Sequence, residues 1–128
     1  MTPTIQLFQA DSFIADPSGT LTLPNDADPR EAALDGVHTV QLQFPSFADG
    51  RAFSQAFLLR RRLGFTGQIR ATGDVLIDQL AQMQRSGFSQ AVLRADQDLE
   101  HGRKLLAHYP DFYQGDAVHT QPHFAVTA

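Results

Sequence analysis

Strand-like and helix-like segments alternate three times between Val37 and residue 114, and this alternation limits the folds that the chain can adopt. Strands are predicted at 37–44, 67–72 and 90–94 from β-branched and alternating residues, and helices at 50–63, 75–86 and 98–109 from apolar residues near the 3.6 period. In the first helix, the expected core residues are Phe53, Ala56, Phe57 and Leu63. Successive β–α units form parallel strands joined by right-handed crossovers. The sequence therefore predicts an α/β fold with a small open, mainly parallel sheet.

Two short segments that share the pattern Arg-x-Gly-Phe support this division. "RRRLGF" and "MQRSGF" place Gly64 and Gly87 in equivalent positions, 23 residues apart. Each segment has basic residues that match the negative end of a helix dipole, then a glycine suited to the left-handed position that ends a helix. Arg60, Arg61 and Arg62 are accordingly interpreted as last-turn charges.

The flanking regions complete a single domain over residues 1–128. In residues 1–36, Asp16-Pro17-Ser18-Gly19 has the composition of a type I turn between two short apolar alternations, which predicts an N-terminal β-hairpin followed by a polar loop. Residues 37–114 are predicted to form the βαβαβα core, and 115–128 an extended tail in which "HFAVT" is suited to an edge segment. Three units are too few to close a (β/α)₈ barrel. An incompletely covered sheet face would favour a homodimer.

Composition excludes several classes of function. The chain has no cysteine, which excludes thiol redox chemistry, cysteine-ligated iron–sulfur clusters and thiolate zinc sites. A net charge of −4 argues against nucleic acid and anionic membranes as partners. Neither a membrane-spanning apolar run nor a secretory signal is recognisable, so a cytoplasmic protein is expected. Nucleotide-binding and serine-nucleophile motifs are missing, and no cofactor or metal is predicted.

Acidic residues follow each predicted strand: Asp49, Asp74 and Asp96. Ligands of open α/β sheets bind outside the carboxyl ends of the strands, where converging carboxylates would hold Mg²⁺ or act as acid and base. The favoured interpretation is simpler, because aspartate is a common N-cap residue and each of the three precedes a helix.

Arg51, Arg70 and Asp78 extend this candidate set. Arg51 opposes the dipole at a helix N-terminus, so it requires a partner such as Asp74 or Asp78, or an anionic ligand. Arg70 lies within a strand and would need a carboxylate. Asp74 and Asp78, at the i, i+4 spacing on the second helix, repel each other unless a cation lies between them. The candidate ligand-binding residues are Asp49, Arg51, Arg70, Asp74 and Asp78.

The motifs of residues 37–114 together resemble the bacterial family called domain of unknown function 934. The pattern is matched by Phe47, Asp49, Gly50, Arg51, Ser54, Ala56, Leu59, Arg60, Gly64, Gly67, Arg70, Ala71, Gly73, Asp74, Val75, Asp78, Gln79, Gly87 and Phe88. Members of that family are often labelled putative oxidoreductase and tend to lie beside genes for sulfite reductase and phosphoadenosine-phosphosulfate reductase. The resemblance therefore implies a role in assimilatory sulfate reduction, and it supplies no catalytic residues.

Two functions follow as expectations. The first is a non-catalytic accessory or binding protein that acts through a partner such as sulfite reductase or another sulfate-assimilation enzyme. The alternative is a small enzyme, or an anion- or nucleotide-binding domain, that uses the five candidate residues as a guanidinium and carboxylate site. The residues alone leave open whether the protein is an enzyme.

Overall fold

A single five-stranded sheet organises the computed structural model, which describes residues 5–14, 18–46 and 48–107. All neighbouring strands are parallel, in the order β1-β5-β4-β3-β2. The strands are β1 Gln6–Gln9, β2 Thr20–Leu23, β3 Thr39–Phe44, β4 Gln68–Gly73 and β5 Gln90–Leu93, and the helices are α1 Arg51–Phe57, α2 Leu80–Ser86 and α3 Leu99–Ala107. The predicted α/β fold, with an open parallel sheet built from three successive β–α units, is confirmed.

One face of the sheet carries the core. Alternate residues of β3 and β4 point to it, including Val40, Leu42 and Ile69, all fully buried. Strands β2 to β5 are neighbours in chain order, so right-handed crossovers place the connecting helices on the same side of the sheet. Accordingly α1 packs on β3, and α2 contacts both α1 and α3. The three helices form one layer over this face.

The opposite face, called here the helix-free face, receives none of the described helices. Its strand side chains, assigned from the register, are Gln6, Phe8, Thr20, Thr22, Thr39, Gln41, Gln43, Gln68, Arg70, Thr72, Gln90 and Val92. The segment after β1 crosses it, because Phe13 packs against Phe8 and over Arg70. A parallel sheet normally has both faces covered by helices, so this polar surface distinguishes the fold.

The predicted N-terminal hairpin is wrong, although one of its strands is confirmed. "TLTL" is strand β2, but it pairs in parallel with β3, with Thr20 opposite Thr39. Residues 12–14 are not a strand, and β1 pairs with β5 at the other edge of the sheet. Pairing with β3 places Leu23 beside Leu42 over the core, and this burial is not available to an isolated hairpin. Residues 15–17 of the predicted turn and the predicted tail, 115–128, lie outside the described residues.

Helix α1 differs from its predicted core stripe. Ala56 is buried and Phe53 packs partly against the core, as predicted, but Phe57 and Leu63 are 41% and 37% exposed. Leu59 is fully buried instead. The cause is a π-helical turn over Leu58–Arg62, in which the Leu63 N–H donates to the Leu58 carbonyl at 3.0 Å. This wider turn breaks the 3.6-residue period on which the stripe was based.

Both glycines predicted to end helices are confirmed. Gly64 and Gly87 have φ angles of 66° and 112°, in the left-handed region that glycine adopts without strain. Arg60 joins the two turns, because its Nε donates to the Gly87 carbonyl at 2.9 Å and its Nη1 to the carbonyls of Phe65 and Gly67 at 2.9 and 2.6 Å. Arg60 is therefore a structural bridge rather than a simple last-turn charge.

Buried Gln55 fixes the loop that follows β2. Its Nε2 donates to the carbonyls of Pro24 and Ala27, at 2.8 and 2.9 Å. An amide that satisfies two loop carbonyls from within a helix holds that loop against α1. The loop includes Asn25, which reaches the carboxyl ends of the strands.

Candidate functional site

Asp49 and Arg51 form a local pair at the start of α1. Asp49 Oδ1 accepts from the Arg51 N–H and Nε at 3.0 and 3.1 Å, while Arg51 Nη2 donates to Oδ2 at 2.8 Å. Asn25 Nδ2 donates to the same carboxylate at 2.6 Å. The Arg51 side chain lowers the pKa of Asp49 to about 2. The partner of Arg51 is therefore Asp49, two residues earlier, and not Asp74 or Asp78 as predicted.

The same arrangement recurs in the loop before β3. Asp28 Oδ1 accepts from the Arg30 N–H and from Arg30 Nε, both at 3.0 Å, and Arg30 Nη2 donates to Oδ2 at 2.9 Å. This pair opens the 3-10 turn Pro29–Glu31, as Asp49 and Arg51 open α1. An aspartate followed two residues later by arginine is thus a local way of starting a helical turn in this chain. The aspartate offsets the unfavourable position of the arginine at the positive end of the helix.

Arg94 connects the ends of β4 and β5. Its Nη1 donates to Asp74 Oδ1 at 2.5 Å, and its Nε and Nη2 donate to the two oxygens of Asp96 at 2.7 and 2.8 Å. The hydrogen bonds from Arg94 lower the pKa of Asp96 to about 2. Arg94 was not among the predicted candidates. Its only signal in the sequence is the spacing Arg94-x-Asp96, which reverses the Asp-x-Arg order of the two local pairs.

Capping explains only part of the acidic pattern. Gly50 is the N-cap residue of α1. Asp49 Oδ1 accepts from the backbone N–H of Arg51, the first residue of that helix. Asp98 directly precedes α3, and its Oδ1 accepts from the N–H groups of Glu100 and His101 at 3.0 and 3.2 Å. The predicted N-cap role is therefore wrong for Asp49, which lies one residue before the N-cap and binds the first N–H of α1, and at α3 the capping hydrogen bonds come from Asp98 rather than from Asp96.

Asp74 and Asp78 do not share a helix. The chain between them is extended at Leu76, with φ −111° and ψ 148°, and the 3-10 turn that precedes α2 starts at Ile77. Asp78 instead lines a crevice of about 120 Å³ between this turn and the apolar side of α3. The predicted i, i+4 pair of carboxylates is wrong because helical geometry begins three residues after Asp74.

Arg70 lies on the helix-free face, and its partners are amides. Nε donates to Gln90 Oε1 at 2.9 Å and Nη1 to Gln41 Oε1 at 3.1 Å. The Phe13 ring lies over the guanidinium, with its centroid 4.7 Å from Cζ. The described ion pairs do not include Arg70, so the expected carboxylate partner is replaced by two glutamines. The five predicted residues therefore occupy separate surroundings: a local pair, a bridge to Arg94, a crevice, and the helix-free face.

After the adjacent strands β1 and β5, the chain turns to opposite faces of the sheet. After β1 it crosses the helix-free face, where Phe13 lies, and after β5 it enters α3 on the helix layer. Such divergence is where open α/β sheets bind ligands. Gln9 Nε2 donates to the Gln97 carbonyl at 2.5 Å and joins the two ends. A groove of about 470 Å³ adjoins them, lined by Leu7, Phe8, Gln9, Ser12, Phe13, Ile14 and Leu99.

Residues 5–14, 18–46 and 48–107 contain neither a metal-ligand cluster nor a membrane-spanning helix. Histidine, aspartate and glutamate side chains of these residues do not assemble in groups of three or more with the arrangement of a metal site. None of the helices in the same ranges has the length and apolar character required to cross a bilayer.

Comparison with known proteins identifies the family. The family model described as "Bacterial protein of unknown function (DUF934)" matches residues 20–124. The chain therefore belongs to this family, which confirms the resemblance seen in the sequence. Comparisons with curated proteins and with solved structures give no significant match.

Proposed function

We propose that this DUF934 protein is a non-catalytic binding protein of assimilatory sulfate or sulfite reduction, which acts in the cytoplasm through a partner enzyme such as sulfite reductase. Membership of the family supports the proposal, through the neighbouring sulfite reductase genes that the resemblance implies. The structural support comes from the charged side chains at the carboxyl ends of the strands.

The observation that carries the proposal is the paired state of these charges. The pKa values of Asp49 and Asp96 are lowered to about 2 by Arg51 and Arg94, so both side chains are carboxylates near neutral pH. A general acid or base works best with a pKa near the operating pH, and these two are far below it. Fixed, partly exposed ion pairs are instead suited to recognising complementary charges on another protein.

The bridge centred on Arg94 is the preferred contact surface. It lies at the ends of β4 and β5, next to the apolar groove of about 470 Å³, so a partner would meet fixed charges beside an apolar surface. Protein interfaces commonly combine an apolar centre with a polar rim. Arg30 offers a matched control, because it is also exposed and paired with an aspartate but lies on the turn that packs against the C-terminal end of the first helical segment.

Binding to purified sulfite reductase tests the proposal directly. Biolayer interferometry should detect a complex that Arg94→Gln weakens by about tenfold, which corresponds to about 1.4 kcal/mol, and that Arg30→Gln leaves unchanged. A strain without the gene should grow slowly on sulfate and normally on cysteine. The proposal fails if the wild-type protein binds neither sulfite reductase nor another enzyme of the pathway and the deletion strain grows normally on sulfate.

The alternative function, a small enzyme or an anion- or nucleotide-binding domain at the strand ends, stays a prediction. Arg51 favours it to a degree, because its side chain is 62% exposed and points away from the core. An anion there would compete with Asp49, which already holds the same guanidinium group in a forked pair. Saturable thermal stabilisation by NADPH or adenosine phosphosulfate, lost in Arg51→Gln, would favour this function over the binding protein.

A homodimer is also proposed, and the support for it is the helix-free face. Parallel sheets are normally covered by helices on both sides, and a second copy would cover the face on which the described residues place no helix. Sedimentation equilibrium of the full chain measures this directly. A mass near 14.1 kDa at all concentrations would refute the dimer and leave the proposed partner binding untouched.

A further inference from the structure

Arg70 is a buried cation without a described carboxylate partner. Its residue exposure is 8%, and its hydrogen bonds to described residues run to the amide oxygens of Gln90 and Gln41. Burial lowers the pKa of the guanidinium, but arginine stays protonated in proteins. Removing a charge from water is costly unless an opposite charge compensates it. The two amide oxygens and the Phe13 ring stabilise the guanidinium, but none of the three carries a negative charge that would neutralise it.

The composition of the helix-free face strengthens this point. The strand side chains that share the face are glutamine, threonine, phenylalanine and valine, apart from Arg70 itself. Carboxylates are missing from this set, although the whole chain has a net charge of −4. A single cation among neutral polar strand side chains produces a local positive potential.

A row of side chains across all five strands fixes the orientation of the guanidinium. Gln41 and Gln90 direct their oxygens at Arg70, and their Nε2 groups point away, toward Thr22 Oγ1 and Gln6 Oε1, each at 3.4 Å. The row therefore holds Nε and Nη1 in place from both sides. Because the described contacts engage those two nitrogens, Nη2 is the donor that remains for a ligand. A guanidinium group held in this way is prepared to bind an oxyanion without reorganisation.

We propose that Arg70 anchors an anion site on the helix-free face, which takes a small oxyanion such as sulfate or phosphate, or a carboxylate. The guanidinium supplies both the positive charge and the Nη2 donor. The Phe13 ring covers one side of the guanidinium plane and keeps water from that side. This site is independent of the proposed sulfite reductase binding, since it lies on a face of the sheet and not at the strand ends, whereas it competes with the proposed homodimer for the same face.

Titration of the full chain with sodium sulfate, sodium phosphate and sodium acetate, at ionic strength held constant with chloride, tests the site. Calorimetry should show saturable binding of at least one of the three ions. Arg70→Gln should lower the affinity by about tenfold or more, as expected for a charged hydrogen bond. Arg30→Gln, in which an exposed guanidinium already paired with Asp28 is removed, should leave the affinity unchanged.

The Arg70 Nε–H resonance in wild-type protein gives a second measurement that does not depend on the stability of a variant. Saturable shifts of this signal with the same midpoint as the calorimetric titration would support the site. Three results would overturn it: no saturable binding of any of the ions, equal affinity in Arg70→Gln, or binding that leaves the Arg70 signal unmoved. None of these results bears on sulfite reductase binding, which is measured with Arg94→Gln.

Discussion

The π-helical turn after α1 predicts opposite behaviour for two leucines four residues apart. In a regular α-helix, Leu59 and Leu63 would lie on the same face, and both would pack against the sheet. With the wider turn between Leu58 and Arg62, Leu59 is completely buried while Leu63 is 37% exposed. Separate replacement of each leucine by alanine therefore distinguishes the observed turn from a continuous α-helix.

The two replacements should differ several-fold in their cost. Removing a buried leucine side chain costs about 2–5 kcal/mol, and the complete burial of Leu59 leads us to expect about 3 kcal/mol for Leu59→Ala. For Leu63→Ala we expect about 1 kcal/mol or less, because much of that side chain already contacts water. The larger loss is a substantial part of a total stability of about 5–15 kcal/mol.

Urea unfolding followed by circular dichroism measures both losses. With a denaturant slope of about 2 kcal/mol per molar, Leu59→Ala should lower the midpoint by about 1.5 M and Leu63→Ala by less than about 0.5 M. Equal shifts in the two variants, with unchanged slopes, would refute the π-helical turn and restore the regular helical stripe.

Three further predictions concern a strand end, a loop and an ion pair. Gly73→Ala should unfold at a lower temperature than Gly36→Ala. Both glycines have positive φ, which costs alanine about 1–2 kcal/mol. Only at Gly73 would the new methyl group press against a backbone carbonyl of β3. Gln55→Leu should cost about 1–3 kcal/mol in urea unfolding, because two loop carbonyls lose their shared donor, and a neutral effect would contradict this role. Thermal stability should fall as the pH drops from about 4 toward 2, because the pKa of Asp49 is lowered from 3.8 to about 2 and its ion pair stabilises the fold only while Asp49 is ionised. The thermal stability of Asp49→Asn should depend less on pH over this range. Identical pH profiles of the two proteins would refute the assignment.

Local signals in the sequence were sufficient for most individual elements of the fold. The alternation of apolar residues located β3, β4 and β5, and the two left-handed glycines located the ends of the helical segments. These features depend on nearest neighbours along the chain, where backbone preferences act directly. The π-helical turn was not predictable in this way, because its sequence continues the helical pattern while its hydrogen bonds shift by one residue.

Strand pairing required information that local patterns do not contain. "TLTL" reads as a strand, but its partner is chosen by the burial of Leu21 and Leu23 beside β3. The turn-like segment before β2 predicted pairing with the apolar residues that precede the turn, whereas β2 pairs with β3. Register is set by tertiary packing, so the sequence could identify β2 as a strand without identifying its neighbour.

Local patterns in the sequence also did not identify the partners of the charged side chains in the candidate site. The sequence correctly indicated that Arg51 needs a partner, but the local turn supplies Asp49 before any distant residue is required. For Arg70, the partners lie on β3 and β5 and become visible only through the register that aligns Gln41 and Gln90 with it. Two glutamines carry no signal of that role in a linear sequence.

From the strand order we expect β1 to join the sheet after the other four strands. Each of β2, β3 and β4 pairs with the strand that follows it in the chain. Strand β1 instead pairs with β5, with Gln6 opposite Gln90. Pairing β1 with β5 closes a longer loop of chain than pairing β3 with β4. The longer loop costs about 1 kcal/mol more, because the entropy of loop closure grows with the logarithm of loop length. A nucleus built from β2 to β5 and their helices can therefore form while β1 is still unpaired. The strand that the ribosome synthesises before the other four is the one that completes the sheet.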